Sequence, residues 1–234
     1  MKMTKMTALL LAAAMALTAC GTATPAPDSG TVTVNGKSIV GLPQRKIRDA
    51  GVSLIPEDRM LYGIADRGTI EDNLISNRIY QKEYNKGLLF DMKAIHEMSD
   101  RLIEDYRVLC KSRNQQVKML SGGNIQKVVV AREFSSGPVL IIADQPTRGI
   151  DVGATEFIRK KLVELSRAGA AVLLVSADLN EVMELSDSLI VMNGGHIAAY
   201  FEDTSALTDE EMGEYMLGLK RQSDEEIGKV LYAK

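Results

Sequence analysis

The chain has no tryptophan, two cysteines, two histidines and four phenylalanines in 234 residues. Two cysteines, Cys20 and Cys110, cannot build a disulfide framework. His96 and His196 stand in no motif, and each reads as a surface or turn residue. No long basic stripe occurs and the net charge is -3, so nothing electrostatic points to nucleic acid as a partner. No internal repeat is visible. What is present is ordinary: 45% hydrophobic and 25% charged residues, the balance of a soluble globular protein with one domain, or one core and a subdomain. The body of the chain therefore reads as cytosolic.

The N-terminus reads otherwise. Lys2 and Lys5 precede an apolar run from Ala8 to Leu17, then Leu17-Thr18-Ala19-Cys20. A basic start, a short apolar stretch and small residues before a cut site make a secretion signal, and the run is well short of the about 20 residues that span a bilayer. The Leu-Thr-Ala-Cys ending resembles a bacterial lipobox, in which cleavage leaves Cys20 to carry lipid. "GTATPAPDSG" follows as a tether, because small, Pro-rich sequence buries no core. The expected organisation is a signal over 1–20, a tether over 21–27 and a folded body over 28–220. A C-terminal tail over 221–234 follows.

Within the body, "TVTV" followed by Asn35-Gly36 predicts a strand and tight turn, and "GVSLIPE" a strand ending at Pro56. Residues 91–108 and 122–135 carry helical spacing. "VLIIAD" and "AVLLVS" are continuous apolar runs, as in parallel strands covered on both faces. Between them Ile158, Leu162 and Leu165 fall on one face of a helix that stops near Gly169. "SLIVMNGGHIAAYF" reads as a hairpin. The pattern is an α/β core with a helical insertion around 65–135.

A strand ending in an acid, "VLIIADQPTRGID", asks for a phosphate-binding loop to face it. The Walker A loop needs G-x-x-x-x-G-K-[ST], so that backbone N–H groups cradle phosphates and Lys reaches the outer ones. Gly36-Lys37-Ser38 is the only approach to it, but the earlier glycine position holds Thr31, and Gly30 comes one residue too early. The flanking alternation is strand-like where a P-loop would open a helix. "LSGGNIQKVVVAREF" is a better anion site: Ser121 and two glycines precede a helix whose first turn has free N–H groups and the positive end of its dipole. Taken alone, Ser-Gly-Gly before a helix is mostly a cap and loop. Here it precedes the acid-ended strand by about twenty residues.

In order and spacing, "PDSGTVTVNGK", "GVSLIPEDR", "TIEDNL", "LSGGNIQKVVVARE", "VLIIADQPTRGIDVGA" and "VLLVSADLNEVMELSDSLIVMNGGHI" resemble the C-terminal half of an ATP-binding cassette (ABC) transporter ATPase. The resemblance is strongest to the double-cassette subunits that energise uptake of simple sugars and nucleosides. It implies an incomplete P-loop NTPase core with a helical subdomain, lacking the P-loop strand and helix.

The resemblance also implies roles. Leu120 to Asn124 would be the signature motif, so Ser121, Gly122, Gly123 and Asn124 would meet nucleotide, with Asn124 where most cassettes have Gln. Asp144 would be the Walker B acid holding Mg²⁺, with Glu57 at the Q-loop position near the metal. Asp151 would lie in the D-loop facing the opposite cassette. Gln145 replaces the general base and Ala177 the switch histidine. ATP and Mg²⁺ are the implied cofactors. A second cassette, membrane permease subunits and a substrate-binding lipoprotein are the implied partners, at the cytoplasmic face of the inner membrane. This chain would not hydrolyse ATP alone, but would donate its signature motif in trans to nucleotide held elsewhere. Two alternatives remain: a lipid-anchored, extracytoplasmic binding or structural module, and a non-functional fusion of a lipoprotein signal to an ATPase tail.

Overall fold

The computed structural model describes residues 6–12, 31–205 and 207–231, and the chain forms two compact units. Unit one comprises Met1–Val52, Val139–Gln145 and Leu162–Lys234; unit two comprises Ser53–Pro138 and Pro146–Lys161.

Unit one is built on a sheet. Its strands are β1 (Met6–Ala12), β7 (Leu140–Asp144), β8 (Ala171–Val175), β9 (Ser188–Asn193) and β10 (His196–Phe201). They lie in the order β10-β9-β1-β8-β7. β1, β7, β8 and β9 run parallel, and β10 returns antiparallel beside β9 through Gly194 and Gly195. Both glycines adopt positive φ, 57° and 82°, which the tight reversal requires. Alternate residues of β7 and β8 are buried: Ile141 and Ala143, then Val172 and Leu174. The apolar runs expected to be parallel strands are parallel strands. β9 and β10 form the expected hairpin.

The N-terminal segment differs from expectation. The sequence places Met6–Ala12 in a signal over 1–20, outside a core that lacks the P-loop strand and helix. Instead β1 occupies the middle of the sheet, paired on one side with Val172–Val175 and on the other with Ser188–Asn193. The physical reason is that a continuous apolar run satisfies a central parallel strand as fully as it satisfies an export leader. Cys20 and the tether lie outside the described residues.

Two-residue strands β2 (Thr33–Val34) and β3 (Lys37–Ser38) form a small hairpin turning at Asn35-Gly36, whose φ values are 50° and 73°. Gly36-Lys37-Ser38 therefore sits in a hairpin and does not open a helix. Helix α1 (Gln44–Asp49) leads toward β4 (Val52–Ile55), and the Gly51 carbonyl accepts bonds from the N–H groups of Val139 and Leu140. The segment expected to be a tail carries helix α8 (Asp224–Leu231), and just before it Gln222 bonds the β10 backbone at Ala198 and Tyr200.

Unit two is mainly helical. It holds α2 (Ile70–Ile75), α3 (Met92–Asp105), α4 (Gly122–Phe134) and a small hairpin of β5 (Asn85–Lys86) and β6 (Leu89–Phe90). Ile70, Leu74, Ile95, Met98, Leu102, Val117, Ile125 and Val128 form its apolar core. At about 25 cal/mol per Å² of apolar surface, burial of these side chains is the main force closing the helices together. Thr69 starts α2 with a reciprocal capping box to Asp72. Asn73 fixes the approach to α2 through three carboxamide bonds to Ala65 and Thr69. His96 is the partly exposed residue expected, on helix α3 and not in a turn, with Nδ1 2.7 Å from the Glu71 carboxylate, which Arg113 also approaches.

Candidate functional site

The signature stretch forms as its residue types dictate. Ser121 is the N-cap of α4, in extended conformation (φ -65°, ψ 157°), and its Oγ accepts from the Asn124 N–H at 3.4 Å and from Asn124 Nδ2 at 2.9 Å. Both bonds are accepted ones, so the hydroxyl hydrogen of this exposed serine remains to donate. Asn124 closes the cap from the other side, its Oδ1 accepting from the Leu109 N–H at 2.9 Å. Asn124 thus shapes the loop, with one amide hydrogen and one carbonyl lone pair beyond these bonds.

Gly123 is buried against Asp151. A Cβ at Gly123 would overlap Asp151 Oδ2 and fall 3.0 Å from the Ala154 Cβ. The other carboxylate oxygen of Asp151 accepts from the Ala154 N–H at 2.9 Å, capping helix α5 (Val152–Arg167). One side chain therefore starts α5 and packs on the signature glycine.

Arg59, which sequence reasoning left without a role, completes this arrangement. Its guanidinium donates from Nη1 to the Arg148 carbonyl at 2.8 Å and from Nη2 to the Gly149 carbonyl at 3.1 Å. A Cβ at Gly122 would lie 3.1 Å from the same Nη2. Asp58 holds the turn that carries Arg59, accepting from the Met60 and Leu61 N–H groups. Arg148 in turn pairs with Glu57. Glu57, Arg59, Arg148 and Gly149 line an open cleft of about 450 Å³. The only trace of this in sequence was the "PEDR" run itself. Its partners are backbone carbonyls 89 and 90 residues away.

The residues expected to do hydrolytic chemistry lie in unit one. Asp144 ends β7, and Gln145 follows in the left-handed region at φ 47°. Gln145 donates its N–H to the Val175 carbonyl at 2.8 Å, and its Oε1 lies 3.5 Å from the Ala177 N–H. The next residues are also engaged: buried Ser176 donates to Glu181 at 2.7 Å and accepts from the Asp178 N–H. Neither Gln145 nor Ala177 offers a group that titrates near neutral pH.

For Mg²⁺ the donor set is thin. Among the described residues no group of three or more His, Cys, Asp or Glu is placed to hold a metal. Glu57 is committed to Arg148 within its own unit.

The ABC transporter family matches residues 16–148, more than half of the chain. The chain belongs to the ABC transporter family. Among its curated relatives, the guanosine import ATP-binding protein NupO of Bacillus subtilis is 40% identical over 202 residues, covering 86% of this chain and 39% of that protein. The nucleoside import ATP-binding protein NupA of Lactococcus lactis is 35% identical, with 82% and 38% covered. The ribose import ATP-binding protein RbsA 2 of Streptomyces coelicolor is 37% identical, with 79% and 35% covered. This ABC chain thus spans about two-fifths of the length of the curated relatives it matches. Its fold is that of solved ATP-binding cassettes. The ADP conformation of one superposes with a TM-score of 0.64 at 20% identity, over 97% of this chain and 88% of that one. A nucleotide-free cassette gives 0.64 at 18% identity, over 96% and 87%.

Proposed function

We propose that this chain corresponds to the C-terminal cassette of an ATP-binding subunit for import of simple sugars or nucleosides, and that it acts by donating its signature loop. The observation that carries this reading is the Ser121 cap at the start of α4, with its hydroxyl hydrogen free and Arg59 beside Gly122. A thirteen-residue helix presents unpaired N–H groups and a positive dipole end there, which suits the terminal phosphate of a nucleotide held by another cassette.

Hydrolysis by this chain alone is not part of the proposal. No Walker A sequence occurs in it, so the main phosphate cradle is lacking. A neutral amide at Gln145 orients water without accepting its proton, and general-base assistance is worth about 10²–10⁴-fold. Ala177 removes a donor to developing charge. The partners that follow are a second cassette, permease subunits and the substrate-binding lipoprotein of the same system, at the cytoplasmic face of the membrane. The resemblance implies that residues 58–85 face the permease, and the exposed Met60, Leu61 and Tyr62 there support such a surface.

The test is to mix the chain with the isolated N-terminal cassette of a nucleoside-import relative and follow ATP turnover against chain concentration. Turnover should rise to a plateau and should not rise with Ser121→Glu, which places a charge against the phosphate. A flat response to the unsubstituted chain contradicts the proposal.

A further inference from the structure

β1 lies at the centre of the unit-one sheet and bridges its two halves. β8 and β9 each pair with it and not with one another. Thr7, Ala8 and Leu9 have partners on both sides, respectively Leu173, Leu174 and Val175 in β8 and Ser188, Leu189 and Ile190 in β9. Without β1, two parallel strand edges stand two strand spacings apart, roughly 10 Å, with their N–H and C=O groups unpaired in the middle of a sheet.

The same residues carry a second instruction. Ala8–Ala12 make up half of the apolar run that gives the N-terminus its secretion-signal character. A segment cannot lie extended between β8 and β9 and also enter an export channel. Cleavage before Cys20 would detach β1 from the sheet altogether.

We infer that the gap between β8 and β9 is a strand-acceptor groove and that its occupant is the chain's own Met6–Ala12 segment, whose insertion withdraws the apolar run from export. Folding and secretion are then competing fates of one segment. The folded chain keeps its N-terminus and stays on the side of the membrane where it was made. This does not depend on how the signature loop is used.

The experiment is hydrogen exchange on the full-length chain purified from bacterial cytosol, together with its intact mass. The amides of residues 7–12 should exchange at least about 100-fold more slowly than an unprotected chain, as those of β8 do. The mass should be that of the chain with residues 1–19 attached. Leu9→Pro removes a ladder donor and should strip protection from residues 171–175 and 188–193 while α3 and α4 keep theirs. Exchange of 7–12 at the unprotected rate overturns the inference. So does a chain processed at Cys20, or a Leu9→Pro variant whose β8 and β9 amides stay protected. The wild-type exchange decides the matter even where the proline variant does not fold.

Discussion

The carboxylate of Asp151 lies directly on the α-carbon of Gly123, with no room between them for a methyl group. Two stretches 28 positions apart in sequence are thereby locked: the signature loop before α4 and the turn before α5. A carboxylate this close to the start of α4 also interacts favourably with the helix dipole.

Gly123→Ala should therefore push Asp151 off its cap. The overlap with Oδ2 and the 3.0 Å approach to Ala154 leave no cheap relaxation, and overpacking of this kind costs about 1–3 kcal/mol. Urea denaturation measures it. In combination with Asp151→Gly the clash disappears, so the double variant should lose less than the sum of the two single losses. Strict additivity would show that the two residues do not press on one another.

Arg59→Ala should loosen the Arg148-Gly149 turn. Two donated bonds are lost, each worth roughly 1 kcal/mol at a partly exposed site. Trypsin cleaves after Arg148, so limited proteolysis reads the change directly: cleavage there should be several-fold faster in the variant. Arg59→Lys, with one amine in place of the planar fork, should fall between the two. Equal rates in all three proteins would remove Arg59 from this role.

Gln145 occupies the left-handed region without being a glycine, at a cost of about 1–2 kcal/mol. Gln145→Gly should raise the unfolding midpoint of the chain. Gln145→Glu, by contrast, supplies the missing carboxylate but not the phosphate cradle, and should give the isolated chain no ATP turnover. Turnover by Gln145→Glu alone would mean that some other loop holds the nucleotide.

Burial pushes the Cys110 thiol up, with a smaller push from the Asp100 charge. An acid whose pKa is raised on folding binds its proton more tightly in the native state. It adds stability below the unfolded value, and that contribution is lost as pH rises through the folded value. In a Cys20→Ser background, alkylation of Cys110 at pH 8 should be slower than that of a free thiol, and should accelerate at a higher pH than an unfolded control. A rate matching the unfolded chain would contradict this placement beside the unit-two core.

Much of this was readable from residues. β7 and β8 announce themselves as apolar runs that stop at Asp144 and before Ser176, and the paired glycines 194 and 195 mark the hairpin. Ser121 reads as a cap because a small hydroxyl residue precedes a helical period. What the residues leave open has physical causes. A run such as "TALLLA" has the same composition whether it crosses a translocation channel or lies between two strands, and only β8 and β9 distinguish the cases. Asn124 also bonds Leu109 and Ser121, a loop-shaping role that the motif alone does not record. Arg59 answers to backbone carbonyls, which no residue pattern records.

The most direct test of the central claim is a Mg-ATP titration of the full-length chain alone by calorimetry, with a folded-state check by circular dichroism. A chain that lacks its own phosphate cradle and serves only to close on nucleotide held by another cassette should show a cooperative thermal transition and no saturable binding below about 1 mM. Saturable binding in the micromolar range by the same folded protein would contradict it.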